Sequence, residues 1–270
     1  MTTTFLADLP WPDAKTRLAS GKPVFLPIGS TEQHGHHMPL HVDVLLPTEF
    51  ARRVALAVGG LVAPPFTYGY KSHQKSGGGN HLPGTTSLDG ATLVAALKDV
   101  VKEFARHGVR KICLVNGHFE NSWFIIEAID LALRELRWDR IEDVKIVVLS
   151  YWDFVGPEAL AQLYPNGFPG WELEHGGVLE TSLMLAIAPE RVRMEHAANF
   201  ASKSQDRAGQ FSILGNGKSA KLGWQMQDYN ACGAVGNAAA ATAEKGRALL
   251  QAAGRSLARS LSEIDQLPAD

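Results

Sequence analysis

Short runs of almost purely apolar residues alternate along this chain with longer amphipathic stretches. Residues 24–29, 61–64, 109–115 and 144–150 are too short for helices and apolar nearly throughout, which predicts strands buried on both faces. Between them, residues 48–58 behind Pro47, 88–107 ahead of Gly108, 121–135 and 178–188 carry helical periodicity. Strand and helix in regular alternation predict an α/β fold of three layers, α/β/α, with a mostly parallel central sheet. In open sheets of that kind ligands bind beyond the carboxyl ends of the strands, so the residues that follow each apolar run are the ones to inspect. Residues 202–222 are polar and Gly-rich with little periodicity, and an Ala-rich helix follows Val235-Gly236-Asn237; the pair is read as a flap and a packing helix.

Composition narrows the class. With 270 residues, 45% hydrophobic and 20% charged, the chain can bury one sizeable core, and residues 1–270 are read as a single domain. A formal net charge of -2 argues against nucleic acid or an anionic membrane as partner. The first residues, MTTTFLADLPWPDAK, lack the basic and apolar regions of an export signal, and no stretch approaches the length of a membrane span. Cys113 and Cys232 are the only cysteines, the first inside a predicted strand, so no structural disulfide is expected and a cytoplasmic setting is the default.

The first strand runs into IGSTEQHGHHMPLHVDVLLP, which gathers Glu32, His34, His36, His37, His41 and Asp43 within a few residues. Imidazole and carboxylate at short range suit a divalent metal. The third strand runs into Asn116-Gly117-His118-Phe119-Glu120-Asn121, a second such cluster at a second strand end. Glu32 and His34 are two residues apart, as are His118 and Glu120; in extended chain such pairs point to one side, so each segment offers one imidazole and one carboxylate to a shared cavity. Asp43 is the natural bridge, having an oxygen for each of two ions. With Glu32, Asp43, Glu120 and a bridging hydroxide, roughly four negative charges would balance two divalent cations. His36, His37 and His41 are read as ordinary histidines.

Further stretches speak to a substrate. Lys75-Ser76-Gly77-Gly78-Gly79-Asn80-His81 matches neither phosphate-binding glycine pattern; its glycines, Gly77 among them, would let backbone N–H groups approach a small ligand, with the Ser76 hydroxyl beside them. Trp152 follows a strand end and Trp171 sits in a Pro- and Gly-rich loop, where flat aromatic walls would suit a small planar group, the lesser alternative for Trp171 being packing between subunits. Glu174 and His175 adjoin that loop, the composition of a proton shuttle beside a metal site. Glu180 can be read as catalytic support or as a buried first-turn helix residue.

The runs GSTEQHGHHMPLHVD, SHQKSGGGNHLPGTTSL, NGHFEN, SYWDF and GWELEHGGVLETS together resemble the creatininase (creatinine amidohydrolase) family over residues 23–189. The resemblance implies a creatininase-like fold and two divalent ions, Zn2+ and/or Mn2+. One would be held by Glu32, Asp43 and His118, the other by His34, Asp43 and Glu120. It implies reversible hydrolysis of the cyclic amide creatinine to creatine, with His175 as proton shuttle, Glu120 and Glu174 as catalytic or substrate contacts, and Ser76, Gly77, Phe119, Trp152 and Trp171 around the substrate. A homohexamer is implied as well. Phe119 stands where the family pattern has a Tyr, and residues 202–222 match no family segment. Alternatives are a formamide or peptide-end hydrolase of another branch and, from a different class, a non-catalytic metal-binding assembly protein.

Overall fold

Four parallel strands, β1 (Val24–Ile28), β2 (Leu61–Val62), β3 (Lys111–Asn116) and β4 (Lys145–Ser150), stand side by side in the order β2-β1-β3-β4. The register pairs Ile28 with Asn116 and Asn116 with Ser150, so three strands end level. The computed structural model describes residues 3–72, 80–168, 174–200 and 232–265. Among them the helices are α1 (Trp11–Leu18), α2 (Val42–Val58), α3 (Gly90–Arg106), α4 (Ser122–Trp138), α5 (Pro157–Leu163), α6 (Val178–Ile187) and α7 (Ala243–Asp265). Two short strands, β5 (Asn199–Phe200) and β6 (Gly236–Asn237), pair antiparallel away from the main sheet. Among the described residues no helix is long and apolar enough to cross a membrane.

Strand pleating sorts the core into layers. Val24, Leu26 and Ile28 of β1 and Ile112 and Leu114 of β3 pack with Leu93, Leu97 and Val101 of α3 and Ile125 and Ala128 of α4. Phe25, Cys113 and Val115 point the other way, against Ala51, Val54 and Ala55 of α2 and Leu257 of α7. Each fully buried large side chain among these contributes about 1.5–3 kcal/mol, which is why short strands of this composition hold their place. A third apolar group joins Val42, Leu46 and Phe50 of α2 to Leu179 and Leu183 of α6 and Leu249 and Leu250 of α7. The expected three-layer α/β architecture is therefore present, with α3 and α4 on one face and α2 and α7 on the other.

The chain leaves β1 for β2 on one side and returns to β3 on the other. That reversal makes the C-terminal ends of β1 and β3 the switch point of the sheet, where a crevice opens. Helix α2 begins at Val42, six residues before the expected start at Thr48, and Pro47 lies inside it. Pro47 removes the N–H that would take the carbonyl of Asp43, and a Cβ at Gly29 or Gly117 would overlap that same carbonyl oxygen. The glycines that end both strands let the helix lie directly on the crevice with Asp43 in its first turn.

Candidate metal centre

Asp43 is nearly fully buried, and its two oxygens face two different imidazoles. Oδ1 lies 3.0 Å from His34 Nε2, and Oδ2 lies 3.1 Å from His118 Nδ1. His118 Nδ1 is also 2.8 Å from Glu32 Oε2, while His34 Nε2 is 3.7 Å from Glu180 Oε1. Ligand atoms of Glu32, Asp43 and His118 all lie within 4.8 Å of one another, and so do those of His34, His175 and Glu180. Two adjoining groups of donors thus share the pivot of Asp43.

Local structure explains who arrives there. Glu32, Gln33 and His34 lie in the loop after β1; their backbone is held by Glu32 N–H donating to Leu40 O at 2.7 Å and Gln33 N–H donating to Thr85 Oγ1 at 3.0 Å. His118 follows β3 and takes its place from Asn116, whose Oδ1 accepts its N–H. Asn121 accepts Tyr70 N–H and donates to Gly29 O, tying the two strand ends together. Glu180 stands in the first turn of α6, its Oε2 accepting Gly176 N–H at 2.7 Å and its Oε1 accepting the Tyr151 hydroxyl at 3.3 Å.

Glu120 takes a different position from the one its spacing suggested. His118 has extended backbone, but Phe119–Asn121 is a 3-10 turn, so the two-residue alternation stops at His118. Glu120 Oε2 consequently sits 3.3 Å from Nε2 of His118, the nitrogen turned away from Asp43 and Glu32. The carboxylate beside His34 is that of Glu180. His37 donates to or accepts from Thr181 Oγ1 at 2.9 Å, and His41 accepts from Arg191 at 2.7 Å, so both are engaged outside the two groups.

Electrostatics follow from crowding these groups in a dry crevice. Burial would raise the carboxylates, but His34 and His118 outweigh it and hold Asp43 at about 2; His34 does the same for Glu180, also at about 2. Glu32 is lowered by His118 and His175 against its burial. Burial would likewise lower the imidazoles, yet Asp43 and Glu180 raise His34, and Glu32 and Glu120 raise His118, well above the ordinary range. Glu174 is the exception: its burial dominates, Glu180 adds repulsion, and it is pushed up to about 8 despite accepting Leu179 N–H at 2.7 Å. Carboxylates crowded and buried in this way favour cationic partners.

The donor set fits divalent metal. It consists of imidazole nitrogens and carboxylate oxygens, and both Glu32 oxygens and His34 Nε2 are buried without an aligned hydrogen bond. Beside it, Phe119 and Trp152 stack with ring centroids 6.3 Å apart at 24°, both half-buried. Trp171, Ser76, Gly77 and residues 202–222 lie outside the described residues. His175 reaches the centre through Glu32 Oε1, 3.4 Å from its Nε2, and its ring lies 4.3 Å from that of His34. Spacing alone did not select Glu180, although a carboxylate in a helix apolar on all sides had to find a buried cationic partner.

The family profile described as Creatinine amidohydrolase matches residues 7–261. Creatinine amidohydrolase of Pseudomonas putida is 58% identical over 199 residues, covering 73% of this chain and 76% of that protein. A manganese form of creatininase superposes with a TM-score of 0.87 at 46% identity, over 98% of this chain and 100% of that one. A Zn-Zn form of a creatininase mutant does so with a TM-score of 0.88, at the same identity and over 99% and 100% of the two chains. With this sheet, this crevice and these donors, the chain belongs to the creatininase family.

Proposed function

We propose that this protein is a dinuclear metal hydrolase that opens the cyclic amide of creatinine to give creatine. The observation that carries the reading is the divided carboxylate of Asp43, one oxygen at 3.0 Å from His34 and the other at 3.1 Å from His118. Two donor groups joined through one carboxylate suit two ions and not one. Glu32 and His118 would hold the first ion and His34 and Glu180 the second, with Asp43 between them; zinc and manganese both suit nitrogen and oxygen donors of this kind, and relatives of this chain have been seen with each. Bound there, the ions supply polarisation of the amide carbonyl and activation of water at neutral pH.

The chain's own residues supply the rest. His175, grouped with His34 and Glu180 and meeting Glu32 of the other group, is the proton carrier to the departing ring nitrogen. Glu174, its carboxyl pushed up to about 8 by burial, anchors the start of α6 at Leu179. Glu120 steers His118 from its outer nitrogen, the way a carboxylate behind a ligating imidazole fixes its orientation. Phe119 and Trp152 form one wall for a flat substrate; Ser76, Gly77 and Trp171 are assigned to its other sides on the family resemblance. Because Phe119 has no hydroxyl, that wall contributes by contact alone.

Residues 1–270 act as one unit in this reading, in the cytoplasm and as a homohexamer. Free Cys113 and Cys232 favour a reducing setting, and the exposed Trp123 and Ile126 on α4 favour subunit contact. The test is turnover by the purified protein supplied with zinc or manganese, on creatinine and on an open-chain formamide. Creatinine hydrolysis in preference to the formamide is expected; the reverse preference would overturn the substrate assignment.

A further inference from the structure

Gln33 stands between the two metal-binding residues of its loop but turns away from the metal centre, and all of its polar groups are engaged. Its N–H donates to Thr85 Oγ1 at 3.0 Å, and its side-chain Oε1 accepts Gly35 N–H at 3.0 Å. Its side-chain Nε2 donates to the carbonyl of Gly233 at 2.8 Å. Its own carbonyl accepts from His175 Nε2 at 2.8 Å, and the amide nitrogen lies 3.3 Å from that same imidazole nitrogen. The residue is 6% exposed.

The same amide reaches the chain that carries His175. Gly233 stands two residues before Val235, and Val235 exchanges both backbone hydrogen bonds with His175, at 2.8 and 2.7 Å. Gly233 has φ +85, and a Cβ there would overlap the Gln33 carboxamide, so glycine is what lets the two backbones close on that side chain. One residue therefore holds His175 twice: its ring through the Gln33 carbonyl, and its backbone through Gly233 and Val235.

We propose that Gln33 is a positioning residue for proton transfer, clasping the segment Cys232–Val235 onto the metal-binding loop so that the imidazole of His175 is held at one angle. This rests on His175 acting as the proton carrier of the proposed reaction. Of the two donor groups, the Gln33 contacts named above reach His175 alone, so the effect of Gln33 passes through that imidazole. A catalytic group displaced by about an ångström costs on the order of 10²-fold in rate, which sets the scale.

The experiment is a double-mutant cycle. Gln33→Ala removes the donor of the bond to Gly233, and Gly233→Ala displaces the carboxamide with a Cβ that overlaps it; each should lower kcat on creatinine by roughly 10- to 100-fold, with KM changed less than about threefold and both ions retained. In a His175→Ala background neither should lower kcat further, because the group being positioned is gone. An equal loss in both backgrounds, or a loss confined to KM, would overturn the proposal. Where alanine prevents folding, Gln33→Met keeps much of the length, adds no charge, and removes the donor to Gly233 together with the acceptor for Gly35. Should wild-type protein leave creatinine intact, the proposed function fails on its own, and the clasp is read without turnover from the ring-nitrogen NMR signals of His175. Those signals should shift in the uncharged Gln33→Met while the signals of His118 do not; unchanged His175 signals would refute it.

Discussion

Glu180→Gln and Glu120→Gln, two changes of identical chemistry, separate the two carboxylates that compete for the second ion. Glu180 Oε2 accepts Gly176 N–H at 2.7 Å, so a glutamine there must keep its oxygen toward that donor. Its amide nitrogen then occupies the Oε1 position, beside the Tyr151 hydroxyl and 3.7 Å from His34 Nε2, and turns two N–H groups toward the ion. One anionic ligand is lost and a repelling dipole replaces it. Losing a carboxylate that only orients a ligating imidazole costs about 10- to 100-fold in metal affinity, so loss of the ligand itself should exceed about 10²-fold. Glu120 sits behind His118, 3.3 Å from its outer nitrogen, and its amide should cost no more than the orienting figure. After dialysis against graded chelator, elemental analysis should find one ion per chain in Glu180→Gln at a chelator strength that leaves two in the parent and in Glu120→Gln. If Glu120→Gln sheds an ion and Glu180→Gln keeps both, the geometry drawn around His34 is wrong.

His175→Ala should keep both ions and lose about 10²- to 10⁴-fold in turnover if its proposed role is to carry protons; an ion lost with the rate would move it into the coordination shell. Gly117→Ala should cost about 1–3 kcal/mol in urea unfolding and weaken metal binding, because its Cβ meets the Asp43 carbonyl and the Pro47 ring and pushes α2 off the crevice; unchanged stability would mean that the close approach has no consequence. Metal binding should release protons and strengthen as pH rises, since His34 and His118 hold protons in the metal-free protein; calorimetry in buffers of different ionisation enthalpy counts them, and no release would contradict the charge assignment. The same shifts bound the stability of the metal-free protein. The raised imidazoles contribute fully below their ordinary 6.5 and less as pH climbs through their folded values. The lowered carboxylates Asp43 and Glu180 contribute fully above 4.5 and less as pH falls toward about 2. Chelated protein should accordingly melt highest between those limits.

Much of this fold is legible in the sequence, and its gaps have physical causes. Apolar runs such as residues 24–29 and 109–115 declare buried parallel strands because nothing else short tolerates two apolar faces. Helix α2 began early because Pro47 reads as a first-turn residue; here its lost hydrogen bond frees the Asp43 carbonyl, which two strand-end glycines approach, a long-range fact invisible in local pattern. Glu32, His34, Asp43 and His118 were legible through spacing at two strand ends. Glu180 stands beside His34 and Glu120 beside the outer nitrogen of His118, an arrangement that alternation does not give because it assumes extended chain and Phe119–Asn121 turns. Gln33 gave no signal at all, since a clasp is made by its partners, one of them two hundred residues away.

The most direct test of a two-ion centre pivoting on Asp43 is the anomalous scattering map of a crystal of the zinc-loaded protein. Two peaks per chain are expected, each about 2.0–2.2 Å from a different oxygen of Asp43, one completed by Glu32 and His118 and the other by His34 and Glu180. A single peak, or two peaks that do not share Asp43, would contradict it.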